Sequence, residues 1–361
     1  MIKDVLVIGQ GICGTFLSWW LEKAGLSFIV IDEERPSTAS RSAAGLINPV
    51  TGRRIVKTWM IDELLPFAQD TYASIGRELS INCLRPASVI DFFPTAQMRL
   101  AFLKRLEEDP QYLQLPDDEH AWDPLFHYQL GYGTITSCYL ADLPNFLPAF
   151  RHRLLQQDAL RQTTFAAASL VVGKEQVQYE DITARFVVFC DGIESFHLPY
   201  FSRLPFAPNK GEALILDIPD LPSGPAAVDS PHHTAVFKKG MTLAPWKDGY
   251  FWVGSSYEWS FTDPAPTEAF RQRTEALLKD WLKPSFRVLD HIASIRPATL
   301  ERRPFAGFHP VHPAVGILNG MGTKGCSLAP YFAQQLVEHI VYGKAIRPDA
   351  DVRRFTKILS R

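Results

Sequence analysis

The pattern of apolar positions at the start of the chain predicts a strand, a turn, a helix and a second strand. Residues 5–8 form a short apolar run rich in β-branched side chains, and a helical pattern follows at about residues 15–23. Gly25 ends this helix, and residues 27–31 form a second apolar run that ends at Asp32. Two strands joined by a helix in this way pack in parallel with a right-handed crossover.

The pattern changes after residue 55, where the alternation of strands and helices that predicts a parallel sheet ends. Helices are predicted at residues 62–79 and 98–108, and an acidic, proline-containing loop follows at 115–123. A helix at about 144–157 precedes two strands, at 168–172 and 184–189, which can rejoin the first sheet.

Between residues 211 and 260 the pattern is one of short strands and tight turns, which predicts an antiparallel block. The strands lie at residues 212–217, 234–238, 241–244 and 250–255, with Asp248-Gly249 as a hairpin signal. A helix at 267–282, strands at 288–295 and 315–318 and a terminal helix to about residue 341 complete the prediction.

Composition adds a set of exclusions to this pattern. The chain has 361 residues, of which 46% are hydrophobic and 21% charged, close to the globular average. Its net charge of -2 gives no general attraction to nucleic acid or to anionic lipid. The five cysteines form no C-x-x-C pair, and no apolar stretch approaches the ~18 residues that span a bilayer. We therefore expect a cytoplasmic protein without a metal site or a membrane segment.

The segment Gly9-Gln-Gly11-Ile-Cys-Gly14 matches the dinucleotide-binding pattern G-x-G-x-x-G in the right context, after a strand and at a helix start. Gly9 makes the turn, Gly11 lets the backbone approach a pyrophosphate, and Gly14 lets helix and strand pack closely. Asp32 follows the second strand, where a carboxylate can bind ribose hydroxyls. The plainer interpretation is a turn that only allows close packing, and this unit alone does not separate NAD from FAD.

Four further segments resemble the D-amino-acid oxidase superfamily of FAD-dependent oxidoreductases, which includes glycine and sarcosine oxidases. They are Ala39-Ser-Arg-Ser-Ala-Ala-Gly-Leu-Ile-Asn-Pro49, Ile295-Arg-Pro-Ala-Thr299, Arg303-Pro-Phe-Ala-Gly307 and Asn319-Gly-Met-Gly-Thr-Lys-Gly325. The last segment and Gly254-Ser-Ser-Tyr257 are also similar to the oxidase domain of the bifunctional enzyme that trims carboxymethylaminomethyl-uridine in tRNA.

The resemblance implies FAD, bound without a covalent link because no cysteine precedes the last glycine-rich turn. It implies contacts to the cofactor from both ends of the chain. The implied residues are Gly9, Gly11, Ile12, Cys13, Gly14, Asp32, Glu33, Ser40, Arg41, Ser42, Ala43, Ala44, Gly45, Leu170, Asp191, Gly192, Gly320, Met321, Gly322, Thr323, Lys324 and Gly325. Leu170 is expected at the adenine.

The resemblance also implies oxidation of a C–N bond by hydride transfer to flavin N5, followed by hydrolysis of the imine. Arg296 is expected to fix the substrate carboxylate through two hydrogen bonds, which guanidinium geometry favours. Lys324 is expected to add positive charge beside the flavin, and Tyr257 to face the substrate, with Lys238 and Trp246 as further candidates. The plainer interpretations are a strand-end arginine paired with an acid, a solvated lysine and aromatic core packing.

The leading hypothesis is therefore an FAD-dependent amine or amino-acid oxidase or dehydrogenase. Its partners are a small amine or amino-acid substrate and oxygen or another electron acceptor. A tRNA-modifying oxidase is a second hypothesis, which the charge does not favour and which salt-dependent tRNA binding would test. A flavin-binding protein without catalysis is a third.

The predicted fold class is α/β (α+β overall), with a Rossmann-type FAD-binding domain and an interleaved antiparallel-sheet substrate domain. The FAD-binding domain is expected to combine residues 1–80, 140–205 and 290–361. The substrate domain is expected to combine residues 81–139 and 206–289.

Overall fold

The structure is a computed structural model that describes residues 1–221 and 234–361. Its helices are α1 (Ile12–Lys23), α2 (Ile61–Leu79), α3 (Ala96–Glu108), α4 (Leu143–Gln156), α5 (Glu268–Trp281), α6 (Gly325–Tyr342) and α7 (Thr356–Leu359). Its strands are β1 (Ile2–Ile8), β2 (Phe28–Ile31), β3 (Leu46–Ile47), β4 (Val50–Thr51), β5 (Val56–Lys57), β6 (Leu84–Phe92), β7 (Leu113–Gln114), β8 (Tyr132–Ala141), β9 (Leu160–Arg161), β10 (Leu170–Val172), β11 (Val177–Tyr179), β12 (Ile182–Phe189), β13 (Asn209–Asp217), β14 (Thr234–Lys239), β15 (Met241–Pro245), β16 (Phe251–Gly254), β17 (Arg287–Arg296), β18 (Phe305–Phe308) and β19 (Val315–Asn319).

The first sheet is built around the predicted βαβ unit. β1 pairs in parallel with β2 and β12, and β12 pairs in parallel with β19. β9 extends the parallel run beyond β2, whereas β10, β11 and β18 pair antiparallel with their neighbours. The predicted Rossmann-type fold is confirmed, and the carboxyl ends of β1, β2, β12 and β19 lie at one edge of this sheet.

The second sheet has the strand order β17-β13-β16-β15-β14-β6-β8-β3, with β7 beside β8. Its neighbours are antiparallel except for β14 and β6, which are parallel. The sequence pattern did not predict β6 or β8. In β6 the last six residues are all buried, so the strand lacks the polar alternation that marks a half-exposed strand.

Three apolar clusters hold these layers together. α1, α2, α4 and α6 pack on one face of the first sheet, where the rings of Phe16 and Tyr72 meet edge to face at 5.0 Å. A second cluster, which includes Phe189 and Phe305, fills the other face. α5 covers the second sheet through Phe270, Leu278 and Trp281, among other residues. The first of these clusters also contains residues of β6 and β8, such as Val89 and Leu140, so it joins the two sheets.

The contact between α1 and the turn after β1 is possible only without a side chain at position 14. A Cβ atom on Gly14 would lie 1.9 Å from the carbonyl oxygen of Gly9, inside any van der Waals contact. The motif's third glycine is therefore required for the packing of this helix on this strand.

The division into two domains stays a prediction. The second sheet takes strands from residues 84–141, 209–254 and 287–296 and a short strand, β3, from the predicted FAD-binding part. Residues 222–233 of the predicted substrate domain lie outside the described residues. Within the described chain, no helix has the length and hydropathy required to cross a bilayer.

Gly14→Ala should lower the melting temperature of the protein, although alanine has the higher helix propensity. The added methyl must displace backbone, and overpacking of this kind costs about 1–3 kcal/mol. Gly25→Ala is the control, because a Cβ at Gly25 meets no atom within 4 Å and adds only the strain of its positive φ. Thermal unfolding of both variants measures the difference, and equal destabilisation would contradict this account.

Candidate cofactor and substrate cavity

A cavity of about 1800 Å³ lies between the carboxyl ends of the parallel strands and the second sheet. Its wall includes residues that directly follow β1, β2, β12 and β19, which is where open α/β sheets bind ligands. The volume exceeds the roughly 300–1,000 Å³ of a pocket for one drug-sized ligand. The cavity has room for a large cofactor and for a second molecule.

One end of the cavity is formed by the glycine turn and the start of α1. The helix begins after Gly11, which provides no side-chain cap, and its first turn carries no acidic residue. The N–H group of Ile12 donates to the hydroxyl of Ser40 at 3.0 Å, which fixes the next cavity segment against the helix. The positive end of α1 therefore faces the cavity.

Asp32 is held in place from two other parts of the chain, the turn after β1 and helix α4. The N–H of Gln10 donates to Asp32 Oδ2 at 2.8 Å, and Arg151 of α4 donates to Asp32 Oδ1 at 2.7 Å. Arg151 also lies 3.2 Å from a carboxylate oxygen of Glu34, and its side chain is only 3% exposed. The sequence analysis missed Arg151, because a single arginine inside a predicted helix carries no motif.

Most of the predicted cofactor residues line this one cavity. Those on its wall are Gly9, Gly11, Ile12, Cys13, Asp32, Glu33, Ser40, Arg41, Ser42, Ala43, Ala44, Gly45, Asp191, Gly192, Met321, Gly322, Thr323, Lys324 and Gly325. Gly14, Leu170 and Gly320 are not on the wall. Residues from positions 9 to 45 and from 191 to 325 thus meet in space, and their contacts to FAD stay predictions.

The expected contact of Leu170 with the adenine stays a prediction. Leu170 starts β10, at the edge of the first sheet, and its side chain packs against the apolar cluster of that sheet. Thr164, Phe165 and Ala167, a few residues earlier, line the cavity instead. They precede the strand, in a segment where residue types alone give no cofactor signal.

The turn after β12 is tied to the turn after β19. The side-chain amide of Asn319 donates to the carbonyl of Gly192 at 2.7 Å and to the hydroxyl of Ser195 at 3.0 Å. That hydroxyl in turn donates to the carboxylate of Asp191. Burial raises the pKa of Asp191 to about 7, so that about half of this carboxyl is protonated at neutral pH.

The second sheet contacts the cofactor segment directly. The indole N–H of Trp252, in β16, donates to the carbonyl of Ser42 at 3.0 Å. Trp252 is buried, and Ala44 packs against the same small apolar cluster. The segment 42–45 is therefore held between the two sheets, which a motif on either side alone does not reveal.

Arg296 ends β17 and lies on the cavity wall. Its guanidinium donates to Asn209 Oδ1 at 2.6 Å, to Ser255 Oγ at 2.7 Å and to the carbonyl of Ser256 at 3.2 Å. Within the described residues, no carboxylate pairs with it, so it is not an ordinary strand-end arginine in an ion pair. Burial lowers its pKa from the usual value. Two of its five N–H groups remain for a ligand.

The position of this guanidinium depends on Gly211 in the neighbouring strand β13. A Cβ atom at Gly211 would lie 1.8 Å from a terminal nitrogen of Arg296. On the other side, the Tyr257 ring centroid lies 4.7 Å from the guanidinium carbon, within cation–π distance. The arginine is thus packed between backbone and an aromatic ring.

The remaining predicted catalytic candidates also reach the cavity. Tyr257, Lys324, Lys238 and Trp246 are all on its wall. Lys324 is half-buried directly before α6, and burial lowers its pKa to about 8. Lys238 pairs with Asp91 at 2.7 Å. Sequence reasoning missed Asn209, which belongs to no motif, and gave no role to Ser255, although Ser255 lies in the segment 254–257 that carries part of the resemblance; both side chains accept hydrogen bonds from Arg296.

The residues present fit FAD. The glycine turn brings backbone and the positive end of α1 to the cavity, and Asp32 offers a carboxylate beside it. The start of α6, with neither a side-chain cap nor an acidic residue in its first turn, reaches the same cavity from the other end of the chain. A long cofactor with an anionic centre matches two such helix ends in one cavity.

Comparison with known proteins agrees with this geometry. The sequence model of the DAO family, described as FAD dependent oxidoreductase, matches residues 4–339. A glycine oxidase of Pseudomonas putida is 26% identical over 362 residues, covering 92% of this chain and 93% of that protein. The glycine oxidase structure from Geobacillus kaustophilus has a TM-score of 0.76 at 17% identity and 96% coverage of both chains. The iminodiacetate oxidase structure from Chelativorans sp. BNC1 has a TM-score of 0.73 at 19% identity, over 95% of this chain and 96% of that one.

The raised pKa of Asp191 predicts that FAD binding weakens as the pH rises through about 7. The protonated carboxyl is compatible with a nearby pyrophosphate, whereas the ionised one repels it, so FAD favours the protonated form. Titration of the apoprotein with FAD between pH 5.5 and pH 8.5 measures this dependence. Asp191→Asn should flatten it, and the exposed Asp117→Asn should leave it as in the wild type. An unchanged pH profile in Asp191→Asn would contradict the assignment.

Proposed function

Because this chain belongs to the DAO family of FAD-dependent oxidoreductases, we propose that it oxidises the C–N bond of a small amino acid or of an N-substituted glycine. The glycine oxidases among its relatives and neighbours support this substrate class. The observation that carries the proposal is the guanidinium of Arg296, which has no carboxylate partner among the described residues and lies on the wall of the same cavity as the predicted FAD contacts.

Arg296 binds the substrate carboxylate in this proposal. Asn209 and the Ser255–Ser256 segment occupy three of its N–H groups, and the two that remain can form a forked pair with a carboxylate. The stacked Tyr257 and the backbone at Gly211 restrict the guanidinium to one orientation. The site therefore fixes a substrate before the reaction, which is the main contribution that positioning makes to rate.

Bound FAD supplies the redox chemistry, because it accepts two electrons and a hydrogen from the carbon beside the substrate nitrogen. The substrate loses an N–H proton in the same conversion, and a C=N bond forms. One water then hydrolyses that bond to a carbonyl compound and an amine, and oxygen or another acceptor removes the electrons from the cofactor. The chain contributes the carboxylate clamp and a cavity wall that positions the substrate.

The first experiment is an anaerobic absorbance titration of the purified, FAD-loaded protein. We expect glycine, sarcosine or a related amine to bleach the flavin bands, since substrate electrons then stay on the cofactor. A screen of small amino acids and N-substituted glycines that bleaches nothing would overturn the proposal.

Arg296→Ala should reduce kcat/KM for the substrate found in that screen by roughly 30- to 5,000-fold. This corresponds to the ~2–5 kcal/mol lost when one partner of a buried charged pair is removed. Arg296→Lys should recover only part of the loss, because lysine keeps the charge without the planar fork.

Arg287→Ala is the matched control, since Arg287 lies on the same strand with a side chain 72% exposed and away from the cavity. Its kcat/KM should equal that of the wild type. Gly211→Ala, which keeps Arg296 but displaces its guanidinium, should resemble Arg296→Lys. A change of less than about threefold in Arg296→Ala would show that the clamp lies elsewhere.

A further inference from the structure

Three cationic side chains on the cavity wall, those of Arg296, Lys238 and Lys324, come from different parts of the fold. Arg296 lies at the end of β17, an edge strand of the second sheet. Lys238 lies in β14, which is separated from β17 by β13, β16 and β15, and Lys324 lies directly before α6. All three side chains line the same cavity. One carboxylate clamp accounts for Arg296 alone.

Lys324 has no anionic partner in the part of the chain that the structure describes. Its ammonium makes no ion pair or hydrogen bond there, although the residue is half-buried. Burial is the main cause of its lowered pKa, and the positive charge of Lys238, which lines the same cavity, lowers it further. The positive end of α6 adds to the same potential. A buried cation without a partner is costly, and an anion bound beside it relieves that cost.

Lys238 lines the same cavity as Lys324 but is itself paired with an acid and does not neutralise the charge of Lys324. Its ammonium lies 2.7 Å from Asp91 Oδ2, and the Asp91 side chain is 1% exposed. Asp91 and Lys238 are register partners on neighbouring strands, so their side chains share the face of the sheet that lines the cavity. This pair is neutral as a unit. Of these four charged groups, Arg296 and Lys324 therefore have no ionic partner among residues 1–221 and 234–361.

We propose that Lys324 binds a second carboxylate of the substrate, so that the substrate is an amine carrying two carboxylates. Arg296 holds one carboxylate and Lys324, backed by Lys238, holds the other. The proposal rests on the proposed function and narrows its substrate class. A dianionic ligand matches the two uncompensated cations, whereas glycine or sarcosine leaves one of them without a partner.

The reaction leaves both carboxylates unchanged. The C–H bond beside the nitrogen breaks with transfer of two electrons and a hydrogen to FAD, and the nitrogen loses one proton to solvent. One water then cleaves the resulting C=N bond to an oxo acid and an amino acid. For iminodiacetate, used as a probe, the products are glyoxylate and glycine.

Binding of ligands that carry no oxidisable amine tests this without turnover. Thiodiacetate and (methylthio)acetate differ only in the second carboxylate, and calorimetric titration of the FAD-loaded protein gives both dissociation constants. We expect thiodiacetate to bind at least about tenfold more tightly than (methylthio)acetate, because one added hydrogen bond to a charged group strengthens binding by about that factor or more.

Lys324→Met should bring the ratio of the two affinities close to one, and Lys324→Arg should restore part of it. Lys104→Met, which removes an exposed lysine of α3, should keep the wild-type ratio. The kcat/KM ratio of iminodiacetate to sarcosine should follow the same order among the variants.

Two results would overturn the inference while the proposed function stands. One is equal affinity of wild-type protein for the two thioethers together with flavin bleaching by a monocarboxylic amine. The other is a Lys324→Met variant that weakens both ligands equally, which is the behaviour of a lysine that serves only the flavin. Failure of every amine to bleach the flavin would overturn the proposed function and, with it, the assignment of a substrate carboxylate.

Discussion

The close approach of α1 to the turn after β1 is the constraint on which the rest of the site depends. The absence of a side chain at Gly14 allows this contact, since a Cβ there would overlap the Gly9 carbonyl at 1.9 Å. The approach places the positive end of α1 at the carboxyl edge of the parallel sheet. Ser40 then binds the Ile12 N–H, and Gln10 binds Asp32, so two further segments are aligned on the same turn. A displaced α1 would disturb all of these contacts together.

The second sheet completes the cavity by placing side chains opposite the first sheet. Trp252 binds the carbonyl of Ser42, and the guanidinium of Arg296 lies against the backbone of Gly211. The cavity wall carries charged side chains of both signs, and Arg296, Lys238 and Lys324 are its contributions from β17, from β14 and from the residue directly before α6.

The sequence was informative where the chemistry requires a particular residue type at a fixed spacing. The glycine turn, the acid after β2 and the glycine-rich segment before α6 could be recognised for this reason, and the fold class and FAD dependence that they imply are confirmed. β6 was missed, since its last six residues are all buried and no polar alternation marks them. β8 was missed although buried and partly exposed positions alternate over part of it. Leu170 was placed at the cofactor by resemblance and that contact stays a prediction, while Thr164, Phe165 and Ala167, a few residues earlier, line the cavity.

The sequence by itself determined the glycine turns at Gly9–Gly14 and Gly320–Gly325 and the helices that follow them, because local backbone geometry and residue type are sufficient for these. FAD as the cofactor came from the resemblance to the D-amino-acid oxidase superfamily, since the glycine turn alone does not separate NAD from FAD. Only the tertiary structure decided which side chains surround them. Arg151 donates a hydrogen bond to Asp32, which is 119 residues away in the sequence, and Arg296 donates one to Asn209, which is 87 residues away. Whether Arg296 and Lys324 have acidic partners is likewise a property of the folded chain, since a pairing between strands and helices has no local signature. That neither side chain pairs with an acid within residues 1–221 and 234–361 is therefore absent from the sequence pattern and visible only in the fold.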